Sequence, residues 1–192
     1  MYAIALFCPD CGAANLHVHL AREVALVAQQ IEVAQAIEPD RGSELAYRLL
    51  GNAHEDVVTM LETYLKTVYQ FLVRKRYTAA EAQRLCSKKT IRNAFQNIER
   101  GERLFRQSLK IELFDHLQSS ARERLHVNLE KRHLIGHNLG LIDEAFAQSA
   151  GAKSVGSNVP LVAEEVSAFA EVASSVVARL ETQPEFQPAS AN

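Results

Sequence analysis

The sequence predicts an all-α protein, a bundle of five or more helices with a short N-terminal CxxC extension. Apolar residues recur at helical spacing in several long segments of the chain. No alternating apolar and polar pattern, which would mark a half-buried strand, persists along the chain. Apolar residues make up 47% of the 192 residues, which is enough to bury a sizeable core and argues against wholesale disorder.

The N-terminal residues differ from the rest of the chain. Tyr2–Phe7 is short and apolar, as in a strand, and it runs into the sequence CPDCG at residues 8–12. We therefore expect a knuckle-like CxxC segment over residues 1–17, a helical bundle over 18–181 and a flexible tail over 182–192.

The first half of the bundle is predicted from two helical stripes. Residues 18–37 form the first helix, and Pro39–Ser43 breaks it. A short helical stretch over residues 45–50 ends at Gly51. The strongest amphipathic pattern follows and predicts a helix over Glu55–Arg74.

Capping signals and one clean stripe predict the second half. Thr78–Glu81 is a capping box and begins a short helix. A second capping box, Ser120–Glu123, opens a long helical segment that reaches Phe146. Ser149–Pro160 is rich in small residues and is predicted as a loop, and residues 166–180 then give a continuous apolar helix face.

Charge and composition exclude some classes of protein. The formal charge is −2, so the chain does not coat nucleic acid through its overall charge, although basic residues cluster over 74–92 and again over 100–110. No apolar run reaches the roughly 18 residues that span a bilayer. Residues 1–7 are too few and lack the basic start of a signal peptide. We expect a cytoplasmic protein with reduced thiols and no membrane association.

The CxxC motif has two interpretations. Cys8 and Cys11 have the spacing with which two thiolates grip one zinc ion in zinc ribbons. A structural zinc site needs four ligands, and the remaining candidates are His17 and His19, or the distant Cys86. The other interpretation is a plain turn without metal.

The residues best suited to catalysis are Arg132, His133 and His137. Arginine is a permanent cation shaped to fork onto phosphate, and histidine exchanges protons near neutral pH. On a helix His133 and His137 lie on one face, whereas Arg132 is about 140° from His137 at roughly 100° per residue. Taken alone, this Arg-x4-His pattern is more typical of solvated side chains on a helix surface than of a catalytic site.

Flanking residues add a resemblance. Arg132-x4-His137, with His133 in the polar position after the arginine, resembles the motif of ribonucleases in the HEPN (higher eukaryotes and prokaryotes nucleotide-binding) superfamily. Residues 94–100 resemble the helix that precedes the motif in one prokaryotic branch, and residues 137–144 resemble its HN-x-G-x-x-DE continuation. The resemblance covers roughly residues 52–180 and implies a HEPN-like helical bundle.

The resemblance also implies a function. HEPN ribonucleases are homodimers whose two motifs line one cleft, and they cleave RNA without a metal cofactor. His137 would then act as general base or acid, Arg132 would offset phosphate charge, and His133 would orient the phosphate or tune His137. Asn138 and Asp143 become substrate-binding candidates, and toxin–antitoxin or phage-defence systems, with an antitoxin or defence partner, become the expected setting. No tyrosine follows two residues after His137, so toxins silenced by nucleotidylation of that tyrosine are a poor match.

Two other functions remain open. The chain is alternatively a non-catalytic HEPN module that binds a nucleotide, RNA or a protein. A third alternative is a zinc-knuckle interaction protein in which Cys8 and Cys11 carry the function.

Overall fold

The computed structural model describes residues 6–8, 10, 12–137, 140–149 and 155–186, and these residues are mainly helical. The α-helices are α1 (Leu16–Arg41), α2 (Ser43–Arg76), α3 (Ala79–Leu85), α4 (Lys88–Ile91), α5 (Ile98–Leu104), α6 (Ser119–His137), α7 (Glu144–Ser149) and α8 (Ala163–Glu181). Short 3-10 turns lie at Ala94–Gln96 and Pro184–Phe186, and a π-helical turn at Phe105–Leu109 follows α5. Strand-like pairing in the described ranges consists of isolated bridges. The predicted all-α class is confirmed.

The chain divides into two compact units that alternate along the sequence. Unit 1 comprises Met1–Glu23, Met60–Leu117 and Ala173–Asn192, and unit 2 comprises Val24–Thr59 and Gln118–Val172. The helices α1, α2 and α8 therefore each contribute residues to both units.

Aromatic side chains fill the core of unit 1. Tyr69 is fully buried, and its ring lies 5.8 Å from that of Phe95 and 5.5 Å from that of Phe105. A second cluster joins Phe7 to Phe186, whose rings stack at 5.7 Å. Phe186 is buried within the segment predicted as a flexible tail, of which residues 187–192 lie outside the described structure. Such ring pairs add to the stability that area burial alone provides.

Unit 2 has an apolar cluster around the end of α6. It consists of Leu134, Ile142, Phe146 and Val159, all of which are buried. Leu134 lies on α6 and Phe146 on α7, while Ile142 and Val159 belong to the connecting segments. This cluster holds the segments on either side of α7 against α6.

Of the two helix breaks predicted in the first half, the one within Pro39–Ser43 is confirmed and the one at Gly51 is wrong. Helix α1 continues through Pro39 to Arg41 and stops at Gly42, which has a left-handed φ of 88°. Helix α2 runs without interruption through Gly51. A Cβ on Gly51 would meet the Ile135 side chain at 3.6 Å, so this glycine lies in a close helix contact rather than at a helix end.

The second half also departs from prediction. Helix α6 begins at Ser119, one residue before the predicted capping serine, and it ends at His137 instead of continuing to Phe146. Residues 94–100, predicted to be one helix, are divided by Asn97, which is extended and caps α5 through a hydrogen bond from the Arg100 amide.

Other predictions are confirmed. Thr78 and Glu81 form a reciprocal capping box at the start of α3. Helix α8 has the predicted apolar face, with Val166, Phe169 and Ala173 fully buried. Asn158, within the segment 149–160 predicted as a loop, forms an antiparallel bridge with Leu141.

Candidate functional site

The predicted catalytic residues lie at the C-terminal end of α6 rather than in the middle of a longer helix. His133 is exposed and Arg132 is half-buried. The His137 backbone is the last position of the helix, so it keeps the predicted four-residue spacing from His133. The His137 side chain and Asn138 lie outside the described structure.

Gly140 explains why α6 stops. Its φ of 77° is left-handed, a conformation that favours glycine. Its N–H donates to the Leu134 carbonyl at 2.9 Å, and its carbonyl accepts from the Val159 N–H at 2.7 Å. A Cβ at this position would lie 2.8 Å from the Tyr47 hydroxyl, which itself donates to the Val159 carbonyl. The chain after the motif is thus fixed by both conformation and packing.

Asp143, predicted to bind substrate, caps α7 in the structure. Its carboxylate accepts a hydrogen bond from the Phe146 N–H at 2.8 Å. Asp143 also lines an open depression of about 260 Å³ beside the motif, whose residues are Glu130, His133, Leu134, Asp143, Ala145 and Phe146. The Glu130 Oε1 lies 3.6 Å from the His126 Nε2 on the same helix. The depression therefore contains two carboxylates beside His133. Their negative charge opposes the binding of a phosphate there.

A buried polar cluster lies behind the motif. Lys131 is 4% exposed, and its ammonium donates to the Glu165 carboxylate at 2.5 Å and to the Pro160 carbonyl at 2.9 Å. His54 and Asn128 are fully buried, and the His54 Nε2 lies 3.1 Å from the Asn128 Oδ1. The residue immediately before Arg132 is thus held by an ion pair and a hydrogen bond inside unit 2.

The hydrogen bonds determine the tautomer of His54. The Asn128 amide nitrogen donates to the Arg124 carbonyl at 2.8 Å, so its oxygen faces His54 and accepts from Nε2–H. The His54 Nδ1 is buried without a hydrogen-bond partner in the described structure. Burial, followed by the positive charge of Lys131, lowers the pKa of His54 to about 4, against the opposing effect of the Asn128 hydrogen bond.

Sequence reasoning missed this cluster, although a signal existed. Asn128 lies between Leu125 and Leu129 on the buried face of α6, and His54 lies between Ala53 and Val57 on that of α2. A polar residue at an apolar position of a helical stripe requires a buried partner. Periodicity can identify such positions, but it does not identify the partner.

Described residues on either side of the CxxC motif pair with one another. Phe7 and Ala14 form an antiparallel bridge, and the Cys8 N–H donates to the Ala13 carbonyl at 2.8 Å. Cys8 is half-buried, whereas Cys11 lies outside the described structure.

The other proposed zinc ligands have separate surroundings. The His17 Nδ1 lies 3.4 Å from the Glu181 carboxylate, and the His19 Nε2 lies 3.1 Å from the Asn15 amide. Cys86 forms the C-cap of α3. Among the described residues, no group of three or more His, Cys, Asp or Glu side chains is arranged to hold a metal ion.

Comparison of the chain with protein-family models, curated proteins and solved structures gave no match. Within the described part of the chain, every helix is too short or too polar to cross a membrane.

Proposed function

We propose that this chain is a metal-independent endoribonuclease of the HEPN superfamily that acts as a homodimer. The observation that carries the proposal is the Arg132-x4-His137 pattern together with its continuation to Asp143 and Glu144. Two features support the proposal. His133 is exposed near the end of α6, and Lys131, the residue before Arg132, is anchored in the interior by Glu165. Because the contacts of Lys131 fix this part of α6, the neighbouring motif can hold a phosphate in one orientation.

The proposed reaction is an internal transesterification of RNA. The 2′-oxygen forms a bond to the adjacent phosphorus, and the bond from phosphorus to the 5′-oxygen breaks. His137 of one or both protomers takes the proton from the 2′-hydroxyl or supplies one to the leaving 5′-oxygen. Arg132 offsets the negative charge that develops on the phosphate, and His133 orients it. The products are a 2′,3′-cyclic phosphate, or the 3′-phosphate after hydrolysis, and a 5′-hydroxyl end.

A dimer is part of the same proposal. One chain supplies one motif, so two motifs meet only across an isologous interface related by a two-fold axis. We expect the purified protein to be a dimer by light scattering, with cleavage activity falling on dilution below the dimer dissociation constant.

The test is cleavage of single-stranded RNA by the purified chain in EDTA. We expect the products described above, and no cleavage of the same strand with 2′-O-methyl groups. His137→Ala and Arg132→Ala should each abolish cleavage without lowering the unfolding temperature. His126→Ala removes a partly exposed histidine from the same helix and should remain active. Cleavage that survives the first two substitutions would exclude the proposed site.

The biological setting is also a proposal. If the chain is a toxin or phage-defence effector, its induction should arrest growth in a bacterial host and His137→Ala should remove the effect. Co-expression of a cognate antitoxin or defence partner should restore growth with wild-type protein. Growth arrest by the His137→Ala variant would show that toxicity does not depend on the proposed cleavage chemistry.

One observation favours a second candidate, a non-catalytic HEPN module. The carboxylates of Glu130 and Asp143 line the depression beside His133, where they oppose the approach of a phosphate. Such a module would bind RNA, a nucleotide or a protein without turnover, and the same cleavage assay with a binding measurement distinguishes the two candidates.

A further inference from the structure

The segment 74–92 of unit 1 has a charge unlike that of the whole chain. It contains seven basic residues and a single acidic residue, Glu81, a net charge of +6 in a chain of net charge −2. All seven basic residues are exposed: Arg74, Lys75, Arg76, Arg84, Lys88, Lys89 and Arg92. We call this set the basic surface. The positive charges of these side chains repel one another and destabilise the folded chain, and a bound anion would offset that repulsion.

The basic surface has few internal counter-charges. Arg76 donates to the Glu185 carboxylate at 2.6 Å, and the Glu81 carboxylate is engaged by Thr78 in the capping box. The other six basic residues form no ion pair with any residue that the structure describes. The residues that the structure does not describe include no Asp or Glu that could pair with them. The charge is therefore available to an external partner.

Helix ends and caps fix the backbone from which these side chains project. Helix α2 ends at Arg76, and the Thr78 capping box begins α3 two residues later. Ser87 then caps α4, accepting a hydrogen bond from the Thr90 N–H at 3.3 Å. Cations in the last turn of α2 also favour that helix terminus. Lys88 and Lys89 are the first two residues of the four-residue helix α4.

A depression of about 690 Å³ lies beside Arg74, which is the member of the basic surface that lines it. It is lined by Arg74, Tyr77, Ala79, Ala82, Gln83, Cys86 and Ser87. The Arg74 guanidinium and the Gln83 amide can donate to the oxygens of a phosphodiester, and none of the described residues that line the depression is a carboxylate.

The aromatic residues near this segment do not form a stacking surface. Tyr64 and Tyr69 are buried, and the Tyr77 hydroxyl donates to the Ser108 carbonyl. None of the large exposed apolar side chains of the described residues falls within 74–92. A protein interface or an inserted membrane surface would present such apolar anchors, so the features favour contact with a charged backbone.

We propose that the basic surface binds the phosphate backbone of single-stranded RNA and holds the substrate strand independently of sequence. The choice of RNA rests on the proposed ribonuclease function, whereas the anionic backbone follows from the surface itself. Each phosphate neutralised by a basic side chain releases counterions, so binding weakens steeply with salt.

The experiment measures binding of labelled single-stranded RNA of about 20 nucleotides across a salt series. The full-length His137→Ala chain serves as the parent, so that cleavage does not deplete the RNA. The slope of log K against log salt is about −0.7 for each phosphate contact on a single strand. Adding Lys88→Gln and Lys89→Gln should make the slope about 1.4 less steep and weaken binding roughly 20-fold at about 0.1 M salt.

A matched pair of substitutions controls for loss of charge. Arg41→Gln with Lys66→Gln removes two exposed cations outside the basic surface and should change binding less than twofold. An equal loss in both pairs would overturn the proposal, as would an unchanged salt slope for the Lys88 and Lys89 pair. Tighter binding to duplex DNA, to polyglutamate or to phosphatidylserine vesicles than to the RNA would overturn the choice of partner.

The two proposals fail in different ways. RNA binding that depends on Lys88 and Lys89 in a chain that never cleaves RNA supports the basic surface and rejects the ribonuclease. Cleavage that depends on His137, with binding indifferent to Lys88 and Lys89, supports the ribonuclease and rejects the basic surface.

Discussion

Replacing His54 with glutamine removes a buried group whose protonation opposes folding. The imidazole has no solvent exposure, its Nε2 donates to Asn128, and its Nδ1 has no partner in the described structure. The groups around it are Asn128, the Lys131 ammonium with its Glu165 counter-charge, and the Phe169 ring at 5.3 Å. A glutamine amide can still donate to Asn128, but it does not titrate.

The magnitude follows from the pKa of His54, which lies at about 4 in the folded chain against 6.5 for an exposed histidine. Between these values the unfolded chain binds one more proton than the folded chain, so the free energy of unfolding rises with pH. This stability is fully present above 6.5 and is lost as the pH falls toward about 4, where the folded chain takes up the proton as well. At about 1.36 kcal/mol per pH unit, the loss totals roughly 3 kcal/mol.

Urea denaturation of both chains between about pH 4 and pH 7 measures the effect. We expect the free energy of unfolding of wild type minus that of His54→Gln to decrease by about 3 kcal/mol from the upper to the lower pH. His126→Gln, which removes a partly exposed imidazole of α6, is the matched control. A difference that stays constant with pH, or one that the control reproduces, would refute the reasoning.

Three substitutions test local features of the fold, each measured by urea denaturation. Gly140→Ala should lower the free energy of unfolding by at least about 1 kcal/mol, because the left-handed φ is strained for alanine and the Cβ would lie 2.8 Å from the Tyr47 hydroxyl. Gly51→Ala should raise it by about 0.5–1 kcal/mol, because alanine favours the helix and its Cβ meets neighbours at ordinary contact distance. Thr78→Ala should lower it by about 1 kcal/mol, because the capping box with Glu81 is lost.

The outcomes that contradict these predictions are distinct. Equal effects of the two glycine substitutions would mean that backbone conformation at Gly140 does not determine the end of α6. A destabilising Gly51→Ala would mean that α2 and its neighbours are packed too closely for a methyl group. Full stability in Thr78→Ala would mean that α3 is held by packing alone.

Local signals predicted much of the fold. The apolar face of α8 and the Thr78 capping box depend on residues within a few positions of one another, and both predictions are confirmed. Gly51 and Pro39 each disfavour a helix in isolation, so each predicts a break, and only the break next to Pro39 occurs. Gly51 remains within α2, where it lets the Ile135 side chain approach the helix closely. Pro39 lies two residues before the end of α1.

The candidate site divides in the same way. Arg132, His133 and His137 form a local pattern, so the sequence alone can propose them as candidates. The buried partners behind them are remote in sequence, since His54 and Asn128 are 74 residues apart and Lys131 and Glu165 are 34 apart. No local pattern encodes such pairs, and only the folded chain reveals them.

The segment after α6 has a consequence for how the motif can be observed. The amides of Ile142, Gly156 and Val159 donate to backbone carbonyls between 2.7 and 2.9 Å in a region without regular helix. Their hydrogen exchange with solvent is slow only while this pairing persists, and the Val159 amide bonds directly to Gly140, where the chain leaves the motif. These amides thus provide a spectroscopic reporter of order at the end of α6 that requires no label on the histidines themselves.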